Sequence, residues 1–157
     1  MSDLVGQSGM YKHILVAVDF SENSHFALKK AKALAENCHA TIELIHVVEI
    51  PTYPILEDVA VMGMPGIWDE EMTESIISAS NTRLSKLAKE FNIDNFHTIA
   101  GIADVDIVEY AKQKKHDLII MGSHGLSGLQ RLIGSTTNSV INSSSCDVLA
   151  VKLEGKG

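Results

Sequence analysis

The segment that most limits the fold runs from His116 to Thr137. After Asp117 comes a short apolar run, Leu118 to Met121. The run breaks into a loop carrying Gly122, Gly125, Gly128 and Gly134, and Gly134-Ser135-Thr136-Thr137 reads as the start of a helix. A buried strand feeding a glycine-rich loop and a helix N-terminus is an arrangement for holding an anion. The glycines let backbone N–H groups approach a phosphate closely. The helix end adds unpaired N–H donors and a partial positive charge.

The rest of the chain supplies a sheet for that unit. His13 to Asp19 is a continuous apolar run closed by an acid, which predicts a strand buried on both faces. Phe20-Ser21-Glu22-Asn23-Ser24 offers N-cap chemistry for a helix reaching about Cys38. Ala27, Ala31, Leu34, Ala35 and Cys38 share its inner face, and Cys38 reads as a small core residue. Thr41 to Val48 is a second buried strand. Between Glu49 and Asp69 lie all three prolines of the chain, with Tyr53, Met62, Met64 and Trp68. That loop is long for a compact domain, and reads either as a pinned surface loop or as a lid or partner surface. A helix is expected over 70–92, with Ile77, Leu84, Leu87, Ala88 and Phe91 as its apolar stripe. Phe96 to Ala100 predicts a third strand. Asp104 is placed to cap a helix over 105–115, with Ile107, Val108 and Ala111 inward. Leu118 to Met121 is the fourth strand, 135–143 a short helix, and 147–153 a fifth strand. Strands alternating with helices predict a parallel sheet covered on both faces. In such sheets ligands lie at the carboxyl ends of strands where the winding reverses. Asp19 and Gly122 end the first and fourth strands, so neighbouring strands there would place them in one crevice.

Bulk properties limit the function classes. At 157 residues the chain is expected to form one domain, 11–157, behind a flexible tail, 1–10. A chain of this length buries about 70% of its unfolded surface. Net charge is −7, which argues against nucleic acid as a partner. Lys29-Lys30-Ala31-Lys32 and Lys112-Gln113-Lys114-Lys115 read as solvated helix faces. Cys38 and Cys146 have no metal-ligand or disulfide spacing. No run approaches the ~18 apolar residues of a membrane span and no secretory signal is visible, so the cytoplasm is the expected location and no membrane contact is expected.

Familiar phosphate and nucleophile signatures are missing from the sequence. It has no G-x-x-x-x-G-K-[ST], no G-x-G-x-x-G after the first strand, and no G-x-S-x-G around Ser123 or Ser127. What it has is Gly122-x-x-Gly125, Gly128 and Gly134-Ser135. Together with Ile14-Leu15-Val16-Ala17-Val18-Asp19-Phe20-Ser21, Ile45-His46-Val47-Val48, the run from Asp117 to Gly125, and Cys146-Asp147-Val148-Leu149-Ala150-Val151, these residues resemble the universal stress protein family, UspA type. The resemblance covers Ile14 to Lys152.

That resemblance implies a single Rossmann-like α/β domain with a five-stranded parallel sheet of order 3-2-1-4-5. It also implies a homodimer paired through the last strand, Asp147, Val148, Leu149, Ala150, Val151, Lys152 and Leu153. In ATP-binding members the motif is G-x-x-G, nine residues, then G-[ST]. Carried over by position, the cofactor-binding residues are Ala17, Asp19, Val47, Met121, Gly122, Gly125, Gly134, Ser135 and Thr136. Two departures stand out: Ala17 occupies a position that is often proline, and only eight residues, Leu126 to Ile133, separate Gly125 from Gly134. One missing residue shortens the reach of the loop by ~3.5 Å at full extension. The shorter spacing resembles the UspA branch, whose members do not uniformly bind nucleotide.

Each candidate also has a purely structural role open to it. Asp19 could hold a ribose hydroxyl or cap the following helix. Ser135 and Thr136 could bind a phosphate, or Ser135 could simply cap its helix. His124 reads as a loop-structuring residue, because no carboxylate or nucleophile is placed by sequence to partner it. His46 reads as a satisfied strand histidine, and Arg131 could meet a phosphate, a dimer mate or solvent. No catalytic or metal-ligating constellation emerges. The expected function is a cytosolic, homodimeric stress-response protein whose crevice takes ATP or another adenine nucleotide. The alternatives are a dimeric interaction protein with an empty loop, and a slow ATPase or self-phosphorylating protein.

Overall fold

The computed structural model describes residues 9–49, 70–124 and 133–153. Tyr53, Met62, Met64 and Trp68, together with Gly125, Gly128 and Arg131, fall outside the described residues, as do most of the expected N-terminal tail and the last four residues. The elements are β1 (His13–Ala17), α1 (Glu22–Cys38), β2 (Thr41–Glu49), α2 (Glu70–Glu90), β3 (Asn95–Gly101), α3 (Ala103–Gln113), β4 (Leu118–Gly122), α4 (Ser135–Ser143) and β5 (Asp147–Val151). All five strands are parallel, in the order β3-β2-β1-β4-β5. This is the single α/β architecture expected from the sequence. Winding reverses between β1 and β4, which pair directly through Ile14–Leu118, Leu15–Ile119 and Val16–Ile120.

The two-residue period of the strands divides the core. Ile14, Val16, Val18, Leu118 and Ile120 face α1 and α2, against Ala27, Leu28, Ala31, Leu84 and Ala88. Leu15, Ala17, Ile119 and Met121 face α3 and α4, against Ile107, Ala111 and Val140. β1 and β4 therefore have no solvent face, which is why they read as unbroken apolar runs. Among the described residues no helix is long and apolar enough to cross a membrane.

Three local expectations are corrected. The helix after β3 starts at Ala103, and Asp104 is not its cap: Ile102 holds that position with no side-chain hydrogen bond. The open donors of the first turn go instead to Asp106 (Ile102 N–H, 2.6 Å), Glu49 (Ala103 N–H, 3.1 Å) and Asp104 (Val105 N–H, 3.0 Å). The other oxygen of Asp104 accepts the Ser139 hydroxyl at 2.8 Å and ties α3 to α4. Cys38 is half-buried at the end of α1 and is not part of either core cluster. The last strand stops at Val151, leaving Lys152 and Leu153 beyond it.

A polar cluster sits near the amino end of β2, away from the carboxyl ends of the strands. The Glu43 carboxylate accepts the Tyr110 hydroxyl and lies 3.0 Å from His116 Nε2 and 3.1 Å from His97 Nε2. Burial lowers the pKa of His116, and its Nδ1 has no partner among the described residues.

Candidate functional site

A cavity of about 520 Å³ opens at the carboxyl ends of β1, β2 and β4, beside the winding reversal. That volume is within the range of small-molecule sites, roughly 300–1,000 Å³. Ala17, Val47 and Met121 line it from the face shared with α3 and α4, where Ile107 also reaches it. Asp19 and Glu49 line it on the β1–β2 side. Gly122, Gly134, Ser135 and Thr136 line it on the β4 side. Eight of the nine sequence-derived site residues therefore meet in one cavity; Gly125, the ninth, lies outside the described residues.

Each wall has a local cause. Where β1 ends, Val18 N–H still donates to Ile45 O at 2.9 Å. The chain then turns sharply: the Ser21 N–H donates to Asp19 Oδ1 at 2.9 Å, and the Asp19 N–H to Ser24 Oγ at 3.3 Å. Ser21 caps α1 by accepting from the Ser24 N–H at 3.1 Å. Asp19 is therefore built into the entry to α1 but is not itself the cap, and its second carboxylate oxygen is not used in the turn. Glu49, which the sequence reading left in a loop, is held to the Ala103 N–H and forms a second carboxylate wall.

The opposite wall is the amino end of α4. Gly134 is its N-cap and has no side chain with which to accept, so Ser135 is the first helical residue and not a cap. Helix geometry leaves the N–H groups of Ser135, Thr136 and Thr137 without intrahelical acceptors. No acidic side chain stands in the first turn to offset the helix dipole. The helix end is fixed by two bonds to the end of β4: Thr137 Oγ1 donates to Gly122 O at 2.9 Å, and Gly134 N–H donates to Ser123 O at 2.7 Å. Gly122 itself must lack a side chain. A Cβ there would lie 2.6 Å from Asn23 Nδ2 and 3.2 Å from the Asn23 backbone carbon.

The cavity is thus polarised. Carboxylates stand on one side, an uncapped helix N-terminus on the other, and an apolar floor lies between them. The arrangement suits a flat apolar ring whose hydroxyl or amino donors face the acids and whose anion faces α4. Among the described lining residues there is no lysine or arginine.

Two histidines border the cavity. His46 Nδ1 is 2.7 Å from Val18 O, the satisfied role expected of it, while its ring packs on Phe20. His124 does have a partner that the sequence reading did not find: its Nδ1 is 2.9 Å from Ser123 Oγ. Ser123 is only 1% exposed, which keeps that hydroxyl from a ligand. His124 O accepts from Asn23 Nδ2 at 2.7 Å, and its buried Nε2 has no partner among the described residues. Among the described residues no group of three or more His, Cys, Asp or Glu side chains could hold a metal ion.

The family model of the universal stress proteins matches residues 10–152. This chain belongs to the universal stress protein family. It is 41% identical over 149 residues to universal stress protein A homolog 2 of Coxiella burnetii, covering 92% of this chain and 97% of that one. The solved structure of MJ0577, a universal stress protein of Methanocaldococcus jannaschii, superposes with a TM-score of 0.75 at 30% identity, over 94% of this chain and 99% of that one. A universal stress protein solved in complex with cAMP shares the fold, with a TM-score of 0.56 at 24% identity, over 90% and 97% of the two chains.

Proposed function

We propose that this universal stress protein binds an adenine nucleotide in the crevice between β1, β4 and α4. The polarity of the cavity carries the reading: an uncapped helix end faces a fixed carboxylate across an apolar floor. Ala17, Val47 and Met121 flank the base. Asp19 accepts from the ribose hydroxyls. Gly122, Gly134, Ser135 and Thr136 receive the phosphate through backbone N–H and hydroxyl donors, with Gly125 completing the loop. A family fold solved with cAMP supports an adenine nucleotide as the ligand class. The protein acts as a cytoplasmic binding protein, with 11–157 as one domain, and not as an efficient enzyme.

The same reading includes a homodimer through β5. Among the described residues that strand pairs with β4 alone, and its Leu149 is 40% exposed. An exposed strand edge invites pairing with a second copy. The eight-residue spacing between Gly125 and Gly134 supports a second reading, in which the crevice stays empty and the dimer surface carries the function.

Thermal unfolding with AMP, ADP and ATP separates the two. A ligand at 100 times its Kd adds about 2.7 kcal/mol, which is a rise of roughly 5–10 °C for a chain of this size. No rise with any of the three at millimolar concentration would leave the interaction reading in place.

A further inference from the structure

Four non-glycine residues among those described have positive φ: Phe20 at 64°, His39 at 54°, Asn92 at 55° and Lys115 at 58°. His39, Asn92 and Lys115 follow the ends of α1, α2 and α3, where a left-handed residue commonly stops a helix. Phe20 has no such reason. It precedes α1, and a bulky side chain in that region is an outlier that its surroundings must hold in place.

Its ring packs against the core cluster that faces α1 and α2, and two further contacts clamp it. The Arg83 guanidinium of α2 lies 4.2 Å from the centroid of the Phe20 ring. The His46 imidazole of β2 lies 4.5 Å from it, and its own orientation is fixed by the 2.7 Å bond to Val18 O. The left-handed turn at Phe20 folds the chain back, so that the Ser21 N–H reaches Asp19 Oδ1 at 2.9 Å. That bond is what fixes the carboxylate at the cavity wall.

We infer that Phe20 is a positioning residue: its ring, clamped by Arg83 and His46, holds the strained turn that aims Asp19 at the ribose of a bound nucleotide. This rests on the nucleotide reading above. The mechanism makes an unusual prediction. Glycine adopts this φ freely, whereas alanine does not. Phe20→Gly therefore keeps the turn without the ring, and Phe20→Ala loses both.

The test compares AMP with its 2′,3′-dideoxy analogue by calorimetry on three proteins, and follows hydrogen exchange of the Ser21 amide without ligand. Wild type prefers AMP by about tenfold, the worth of one hydrogen bond to a charged group. Phe20→Gly keeps most of that preference. Phe20→Ala brings it to about unity while binding the dideoxy analogue as wild type does. Ser21 amide protection follows the same order. Equal loss in both variants, full retention in both, or equal weakening for both ligands overturns the inference. If neither ligand binds wild type, the nucleotide reading fails by itself, and the order of Ser21 protection alone decides the role of Phe20. If Phe20→Ala does not fold, Arg83→Leu serves in its place: the preference falls about threefold with the lost cation–π contact, and an unchanged preference overturns the inference.

Discussion

Replacing Gly122 by alanine tests how the crevice floor is built. The added methyl would sit 2.6 Å from Asn23 Nδ2, 3.0 Å from its Cγ and 3.2 Å from its backbone carbon. The amide cannot simply swing away, because its Nδ2 donates to His124 O at 2.7 Å and Asn23 is 6% exposed. Breaking that bond inside the protein costs about 1–3 kcal/mol. Forcing α1 outward by a few tenths of an ångström adds about 1–3 kcal/mol of overpacking. The expected loss is therefore about 2–6 kcal/mol, or roughly 4–24 °C in Tm. Calorimetric unfolding of Gly122→Ala measures it. The double variant Gly122→Ala/Asn23→Ala should be more stable than the sum of the single losses by ~1 kcal/mol or more, because Asn23→Ala removes the obstructing amide. A single variant within ~0.5 kcal/mol of wild type, or strict additivity, would refute the close-approach argument.

Other expectations follow from the same contacts. Thr137→Val removes the 2.9 Å bond from Oγ1 to Gly122 O at a position 3% exposed, and should lose about 1–2 kcal/mol in urea unfolding; an unchanged midpoint would show that the bond does not pin α4. Burial holds His116 neutral in the folded protein against the weaker opposing pull of Glu43. Its folded pKa is thus below the unfolded value of about 6.5, so stability is full above that pH and declines as pH falls below it. An NMR titration should give His116 a midpoint below ~6.5, and a midpoint above that contradicts the burial argument. In the proposed dimer, Leu149→Glu places a charge on the open edge of β5 and should yield monomers in sedimentation equilibrium; an unchanged assembly would put the interface elsewhere.

Much of the fold was legible because β1 and β4 are buried on both faces and so leave a continuous apolar signal. The sheet order and the meeting of Asp19 with Gly122 followed from strand alternation and the family resemblance. What could not be read is where side chains compete for the same backbone donors. Asp104, Asp106 and Glu49 all stand near the start of α3, and sequence spacing alone favoured Asp104. The role of Glu49 depends on the end of β2 reaching α3, a contact across 54 positions. It carries the same signal as Asp19, an acid closing an apolar strand, and that signal could have marked it. Gly134 takes the cap position that was one of the two roles open to Ser135, because the helix begins at Ser135 itself. Phe20 stood in the sequence only as part of the segment leading into α1, and its strain is visible only in the backbone angle.

The nucleotide reading is tested most directly by calorimetric titration of the wild-type protein with ATP, ADP and AMP, alongside a Ser135→Ala/Thr136→Val variant. The account predicts saturable binding of at least one of them at one nucleotide per chain, weakened by about tenfold in the variant through the lost phosphate contacts. No heat at millimolar nucleotide, or identical binding by both proteins, would contradict it.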